Sequence, residues 1–132
     1  QQQMEQYGVD LFLDIHGDEE IPYVFTAACE GNPGYTPRIK ALEKRFRSHL
    51  SSLTRDFQTT HGYTRDLPGE ANMTLACNAV GEKYDCLSLT LEMPFKDANP
   101  CPLPPASVLG AGHALQHAIA PNQAMEQRRR QV

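Results

Sequence analysis

The sequence lacks the features that mark several large classes of protein. Its 132 residues contain no apolar run near the ~20 residues that a membrane-spanning helix needs. The first six residues have neither the basic start nor the apolar stretch of a secretory signal peptide. Basic residues number 12 against 16 acidic ones, for a net charge of −4. We therefore expect no membrane partner, and no nucleic-acid partner because phosphate binding rests mainly on Lys and Arg.

Closely spaced cysteines are also missing. The four cysteines form no Cys-X-X-Cys pair, which argues against a zinc ribbon. A chain of this length with 40% apolar residues can bury a core without a disulfide framework. We interpret Cys29, Cys77, Cys86 and Cys101 as four reduced thiols in a cytoplasmic protein, and their even number leaves a bridge open.

Three segments have the pattern of strands. Residues 9–16 and 87–92 alternate between two faces, and residues 21–28 form a shorter apolar run that Pro22 opens. In the first strand Asp14 and His16 share the face of Phe12. In the last strand Glu92 shares the face of Ser88 and Thr90. An acidic loop is expected over residues 17–20.

The sequence predicts one long helix, including the residue at which it begins and the side chains that it buries. Thr36 is a suitable N-cap and Pro37 a suitable first residue. Apolar side chains then recur at steps of three and four residues, while Glu43 falls among the positions that can face water. The predicted buried positions are Ile39, Leu42, Phe46, Leu50, Leu53 and Phe57. Residues 58–70 have the composition of a long loop, a short helix follows over 72–80 and ends at Gly81, and a last helix covers 108–119.

These elements predict the fold class α/β, with part of a mixed β-sheet flanked by helices. Only three strands are visible, so the sheet is expected to be part of a larger one. Residues 122–132 form a polar and basic tail.

Two polar residues stand at the ends of apolar strands. His16 ends the first strand and Glu92 ends the last. Ligands of open α/β sheets bind beyond the carboxyl ends of the strands, so parallel strands would bring these side chains into one crevice. Imidazole is a common zinc ligand, and a carboxylate beside it can act as a general base. Taken alone, His16 is better explained as a hydrogen-bonded structural residue and Glu92 as a surface residue.

Three short sequence motifs around these residues resemble a known family. Residues 14–19 (Asp-Ile-His-Gly-Asp-Glu), 21–23 (Ile-Pro-Tyr) and 89–95 (Leu-Thr-Leu-Glu-Met-Pro-Phe) resemble zinc carboxypeptidases of the M14 type, in the bacterial form of the cytosolic carboxypeptidase branch. The resemblance implies a carboxypeptidase-like fold and Zn²⁺ as cofactor, with His16 as the third zinc ligand. It also implies that Glu92 activates a zinc-bound water to hydrolyse the C-terminal peptide bond of peptides or proteins, with acidic residues as a suggested substrate class.

The sequence departs from this family in one respect. It contains no His-X-X-Glu motif upstream of His16, where the family has the motif that supplies the first two zinc ligands; its one match, His16–Glu19, begins at the residue that resembles the third ligand. The resemblance therefore implies that residues 1–121 are a C-terminal portion of the catalytic domain. The expected partner is the N-terminal half of the same domain, without which this chain would be inactive.

Other residues are weaker candidates for the site. Tyr63 lies in the long loop, where the family places a substrate-contacting tyrosine. Arg65 is a candidate for binding an acidic side chain, although a solvent-exposed arginine without such a role is the better explanation. Asp14 is a candidate for supporting His16. Two alternatives remain open: an aspartoacylase-like zinc deacylase, and a non-catalytic half-domain.

Overall fold

The computed structural model describes residues 2–95, which form a three-stranded sheet with helices against it. The elements, in chain order, are α1 (Gln2–Tyr7), β1 (Leu11–Asp18), β2 (Phe25–Ala28), α2 (Pro37–Leu53), α3 (Ala76–Tyr84) and β3 (Leu87–Pro94). The expected helix over 108–119, the tail over 122–132 and Cys101 lie outside the described residues. No helix among residues 2–95 is both long and apolar enough to cross a membrane.

Strand β3 is the centre of the sheet. It pairs in parallel with β1 and antiparallel with β2, which makes the sheet mixed as predicted. The parallel register places Leu13 opposite Leu89 and His16 opposite Glu92. Opposite residues point to the same side of a sheet, so the alternation within each strand gives the two faces different chemistry.

The leucine face of β3 carries the core. Leu87, Leu89 and Leu91 are almost fully buried and pack against the apolar side of α2. The buried residues of this cluster are Val24, Ile39, Leu42, Phe46, Leu50, Phe57, Leu87, Leu89 and Leu91. Burial of this kind is the main favourable contribution to folding.

Helix α2 begins where the sequence predicts. Thr36 has extended backbone, its hydroxyl accepts the backbone N–H of Ile39 at 3.3 Å, and Pro37 is the first helical residue. The predicted buried face holds at its first four positions. Leu53, however, is exposed at the end of the helix, and Phe57 is buried from a separate segment that bridges to Val24.

Helix α3 lies on the other face of β3, against Ser88, whose hydroxyl donates to the carbonyl of Cys77 at 2.7 Å. This helix begins later than predicted, and Gly81 lies inside it rather than at its end. A Cβ at Gly81 would lie 2.9 Å from the Sγ of Cys29, so the glycine permits close packing against the end of β2. The helix ends at Asp85, which adopts the left-handed conformation with φ 47°.

Candidate active site

The two polar residues that the sequence places at strand ends lie side by side, although β1 and β3 each continue for two residues beyond them. His16 and Glu92 are register partners on adjacent parallel strands, and Nδ1 of His16 is 3.7 Å from Oε1 of Glu92. Both point to the α3 side of the sheet, at the carboxyl ends of β1 and β3. The two residues therefore meet as predicted, while their chemical roles stay predictions.

Asp14 orients the imidazole from the same strand. Its Oδ2 lies 3.2 Å from Nε2 of His16, two residues along the same face of β1. A carboxylate on one ring nitrogen fixes the tautomer and leaves the lone pair of the other nitrogen available. Here that nitrogen is Nδ1, which faces Glu92, and about half of the imidazole is exposed to a ligand from solution.

Glu92 is a buried carboxylate. Only 4% of the residue is exposed, and its Oε2 has no hydrogen-bond partner among the described residues. Burial raises the pKa of Glu92, an effect that nearby His16 opposes and the negative charge of Asp18 strengthens. A carboxylate with a raised pKa and an unoccupied oxygen is suited to accept and release a proton.

Asp18 lies in a strand rather than in the expected loop. The acidic loop predicted for residues 17–20 is partly strand, and Asp18 is the buried last residue of β1. Its Oδ1 accepts the backbone N–H groups of Glu20 at 2.7 Å and Ile21 at 2.6 Å. These bonds, that of Ile21 foremost, and the hydroxyl of Tyr63 lower the pKa of Asp18. The sequence does not mark Asp18 as part of the site, because the turn that it stabilises has no regular spacing of residues.

Tyr63 joins the site through Asp18. Its hydroxyl donates to Oδ2 of Asp18, and its ring packs edge-on against Phe25 with the centroids 5.0 Å apart. Burial, the bond to Asp18 and the charge of Glu92 raise the pKa of Tyr63, so the phenol stays protonated as a donor. Half of the side chain remains exposed. The structure therefore brings Tyr63 to the same end of the sheet as His16 and Glu92.

Arg65 lies apart from His16. Its Nε is 3.0 Å from Oε1 of Glu30, and 63% of its side chain is exposed. It lines a cavity of about 340 Å³ between β2, residues 58–66 and the start of α3. Thr90 and Tyr63 also line this cavity, and Thr90 shares its strand face with Glu92. The cavity thus reaches the strand face of Glu92 without including His16 or Glu92.

The described residues fit a zinc site only in part. His16 offers one oriented nitrogen, beside a buried carboxylate oxygen that lacks a partner. Within residues 2–95, no group of three or more His, Cys, Asp and Glu side chains is arranged to hold a metal ion. A catalytic zinc normally has three protein ligands. Two of them would therefore come from outside the described residues.

Comparisons with known proteins point to one class of enzyme. No family model matches the sequence. A metallo-carboxypeptidase from Pseudomonas aeruginosa, solved in complex with (2-guanidinoethylmercapto)succinic acid, is 57% identical with a TM-score of 0.78 over 89% of this chain and 32% of its own. A metallo-carboxypeptidase from Burkholderia cenocepacia is 36% identical with a TM-score of 0.82, over 94% of this chain and 34% of its own.

One relative in sequence has no described function. An uncharacterized protein from Zymomonas mobilis is 46% identical over 99 residues, which are 75% of this chain and 26% of the relative. The chain thus spans about a third of the solved structures that it matches and about a quarter of this relative. Over the part that it covers, the chain has the mixed sheet and flanking helices of the metallo-carboxypeptidases, and it is similar to them in sequence as well as in fold.

Proposed function

We propose that this chain is a C-terminal portion of a zinc carboxypeptidase catalytic domain of the M14 type, in its cytosolic carboxypeptidase branch. The observation that carries the proposal is the pairing of His16 with Glu92 on adjacent parallel strands, 3.7 Å apart, with the imidazole oriented by Asp14. The similarity to two solved metallo-carboxypeptidases supports it. The remaining zinc ligands would come from the N-terminal half of the domain.

The proposed reaction is hydrolysis of the last peptide bond of a peptide or protein. Zinc, bound by His16 through Nδ1 and by ligands outside the described residues, would supply Lewis acidity that polarises a carbonyl and lowers the pKa of water. Glu92 accepts the proton of the attacking water, and it then donates that proton to the amine nitrogen that leaves. The burial that raises the pKa of Glu92 makes the carboxylate a stronger base for the first step.

Two further residues contribute to substrate binding in this proposal. The Tyr63 hydroxyl is held beside Glu92 by Asp18, and it would exchange its bond to Asp18 in order to donate to a bound peptide. Arg65 lines the adjoining cavity with an exposed guanidinium, which suits the carboxylate of an acidic C-terminal residue. Arg65 would exchange its contact with Glu30 for the substrate. The Pseudomonas aeruginosa neighbour binds a succinic acid derivative, which supports an anionic ligand in this class of fold.

The test compares Glu92→Gln with the unaltered enzyme in the complete protein, with Glu5→Gln as a matched control at an exposed carboxylate. We expect Glu92→Gln to lower kcat on a peptide substrate by roughly 10²–10⁴-fold, the usual contribution of a general base. Zinc content should not change, because Glu92 is not a proposed ligand. Full activity of Glu92→Gln would contradict the proposal, and faster hydrolysis of N-acyl amino acids than of peptides would favour the deacylase.

Arg65 is tested through substrate choice. We expect Arg65→Gln to raise KM for a peptide that ends in glutamate and to leave KM for one that ends in alanine unchanged. Equal effects on both peptides would assign Arg65 to structure rather than to substrate binding. That outcome would leave the roles of His16 and Glu92 as proposed.

A further inference from the structure

Two cysteines that are 48 residues apart in sequence lie in contact. Cys29 directly follows β2, and Cys77 lies in the first turn of α3. Both are buried thiols, and their sulfur atoms are 3.4 Å apart. A disulfide bond is about 2.0 Å long, so a small movement of the two side chains would join the sulfurs.

The surroundings fix the two sulfurs near each other. The Cys29 thiol lies within donating distance of the Ser88 carbonyl at 3.2 Å and of the Cys77 carbonyl at 3.4 Å. The hydroxyl of Ser88 donates to that same Cys77 carbonyl. Gly81, one turn along α3, provides the space for Cys29, since a Cβ there would lie 2.9 Å from its sulfur. Helix and strand are thus closely packed where the thiols meet.

The two buried thiols differ in their position relative to the cavity. Cys77 lines the cavity of about 340 Å³, whereas Cys29 lies behind it. The hydrogen bond between the two sulfurs lowers the pKa of Cys77 and raises the pKa of Cys29. A thiol at the wall of a cavity and a second thiol in contact with it are the two groups that stepwise oxidation to a disulfide requires.

We propose that Cys29 and Cys77 form a reversible disulfide when a hydroperoxide enters this cavity. The Cys77 thiolate attacks the peroxide, so that an S–O bond forms, the O–O bond breaks and the other oxygen leaves as hydroxide or alkoxide. The Cys29 sulfur then attacks the sulfenic sulfur of Cys77. The S–S bond forms, the S–O bond breaks, and the hydroxyl leaves as water with the proton of Cys29. The two thiols lose two electrons, which reduce the peroxide.

This disulfide would connect the end of β2 to α3 across β3. It would also remove a thiol from the wall of a cavity that Thr90 and Tyr63 line next to Glu92. The inference does not depend on the proposed peptidase activity, because the reaction requires only the two cysteines and the cavity.

The experiment treats the native protein with hydrogen peroxide and maps its peptides without reduction. We expect one main cross-linked pair, containing Cys29 and Cys77, which dithiothreitol reverses. The same treatment in concentrated urea should give mixed pairings that include Cys86 and Cys101. Because this comparison uses the unaltered sequence, it does not depend on whether a variant folds. The same mixture in native and unfolded protein, or sulfinic acid without a cross-link, would overturn the proposal.

Variants provide a second readout. Dimedone labels a sulfenic acid, and labelling of Cys29→Ser should accumulate on Cys77, since the thiol that would displace the hydroxyl is gone. Cys86→Ser is the matched control, a second buried thiol whose loss should leave the cross-link between Cys29 and Cys77 unchanged. Label on Cys86 in place of Cys77 would contradict the assigned order of attack.

Discussion

The ion pair between Glu43 and Arg47 gives the sharpest test of the fold. The two residues are one turn apart on α2, with an N–O distance of 3.1 Å, and Glu43 is 4% exposed. The Tyr35 hydroxyl also donates to Glu43. A second ion pair, between Lys83 and Glu5, has the same distance of 3.1 Å but about half of each side chain is exposed. The two pairs therefore differ mainly in burial.

The substitution Glu43→Gln should be far more costly than Glu5→Gln. Removing one partner of a buried pair typically costs about 3–5 kcal/mol, because it leaves an uncompensated charge. Arg47 keeps the Thr26 carbonyl at 2.9 Å and Glu30 at 3.8 Å, so we expect the low end, about 3 kcal/mol. The exposed pair should contribute less than about 1 kcal/mol.

Urea denaturation followed by circular dichroism measures both effects. With an m value of about 1.5 kcal/mol per molar, Glu43→Gln should lower the midpoint by about 2 M. The midpoint of Glu5→Gln should shift by less than about 0.7 M, and added salt should reduce that shift further. Equal small shifts for both variants would refute the argument that burial makes the Glu43 pair important. A cycle that adds Tyr35→Phe should show coupling to Glu43 of about 0.5–3 kcal/mol.

Three further predictions concern packing and pH. In urea denaturation, Leu89→Ala should lower the free energy of unfolding by about 2.7–5 kcal/mol, because Leu89 is fully buried. Leu67→Ala should lower it by less than about 0.5 kcal/mol, because Leu67 is exposed, and equal losses for the two variants would place Leu89 outside the core. A change of Gly to Ala stabilises an exposed helix, but Gly81→Ala should destabilise the protein because the new Cβ meets the sulfur of Cys29. Urea denaturation should show a smaller loss in the free energy of unfolding when Gly81→Ala is made in a Cys29→Ala background. Burial and the bond to Glu43 raise the pKa of Tyr35, so the protonated phenol stabilises the folded protein below about pH 10, and this contribution is lost as the pH rises above that value. Ultraviolet titration should find one fewer late-ionising phenol in Tyr35→Phe, and an unchanged titration curve would contradict the raised pKa.

The central part of the site was predictable from local patterns. Alternation along β1 and β3 places His16 and Glu92 on one face near the strand ends, and parallel pairing brings such ends to one edge of a sheet. The long helix was equally predictable, since its cap and apolar period are contained in adjacent residues. Signals of this kind need no knowledge of distant contacts.

Other features depended on partners far away in sequence. Glu43 occupies a position on α2 that the pattern assigns to water, yet it is buried because Tyr35 and Arg47 satisfy its charge. Gly81 continues a helix that a glycine was expected to end, because its missing side chain lets α3 approach Cys29. Propensity is a weak signal, and tertiary packing of this kind overrides it.

The sequence by itself determined that three strands and one long helix form and that His16 and Glu92 share one face of the sheet, because each of these is encoded by the spacing of neighbouring side chains. The bounds of the strands were not determined in this way, since β2 is half the length of the predicted segment and β1 and β3 continue past His16 and Glu92. Only the tertiary structure decided which side chains support them. Asp18 holds Tyr63 across 45 residues, and Cys29 meets Cys77 across 48. Such contacts depend on how the loops return to the sheet, and their geometry has no periodic signal in the chain.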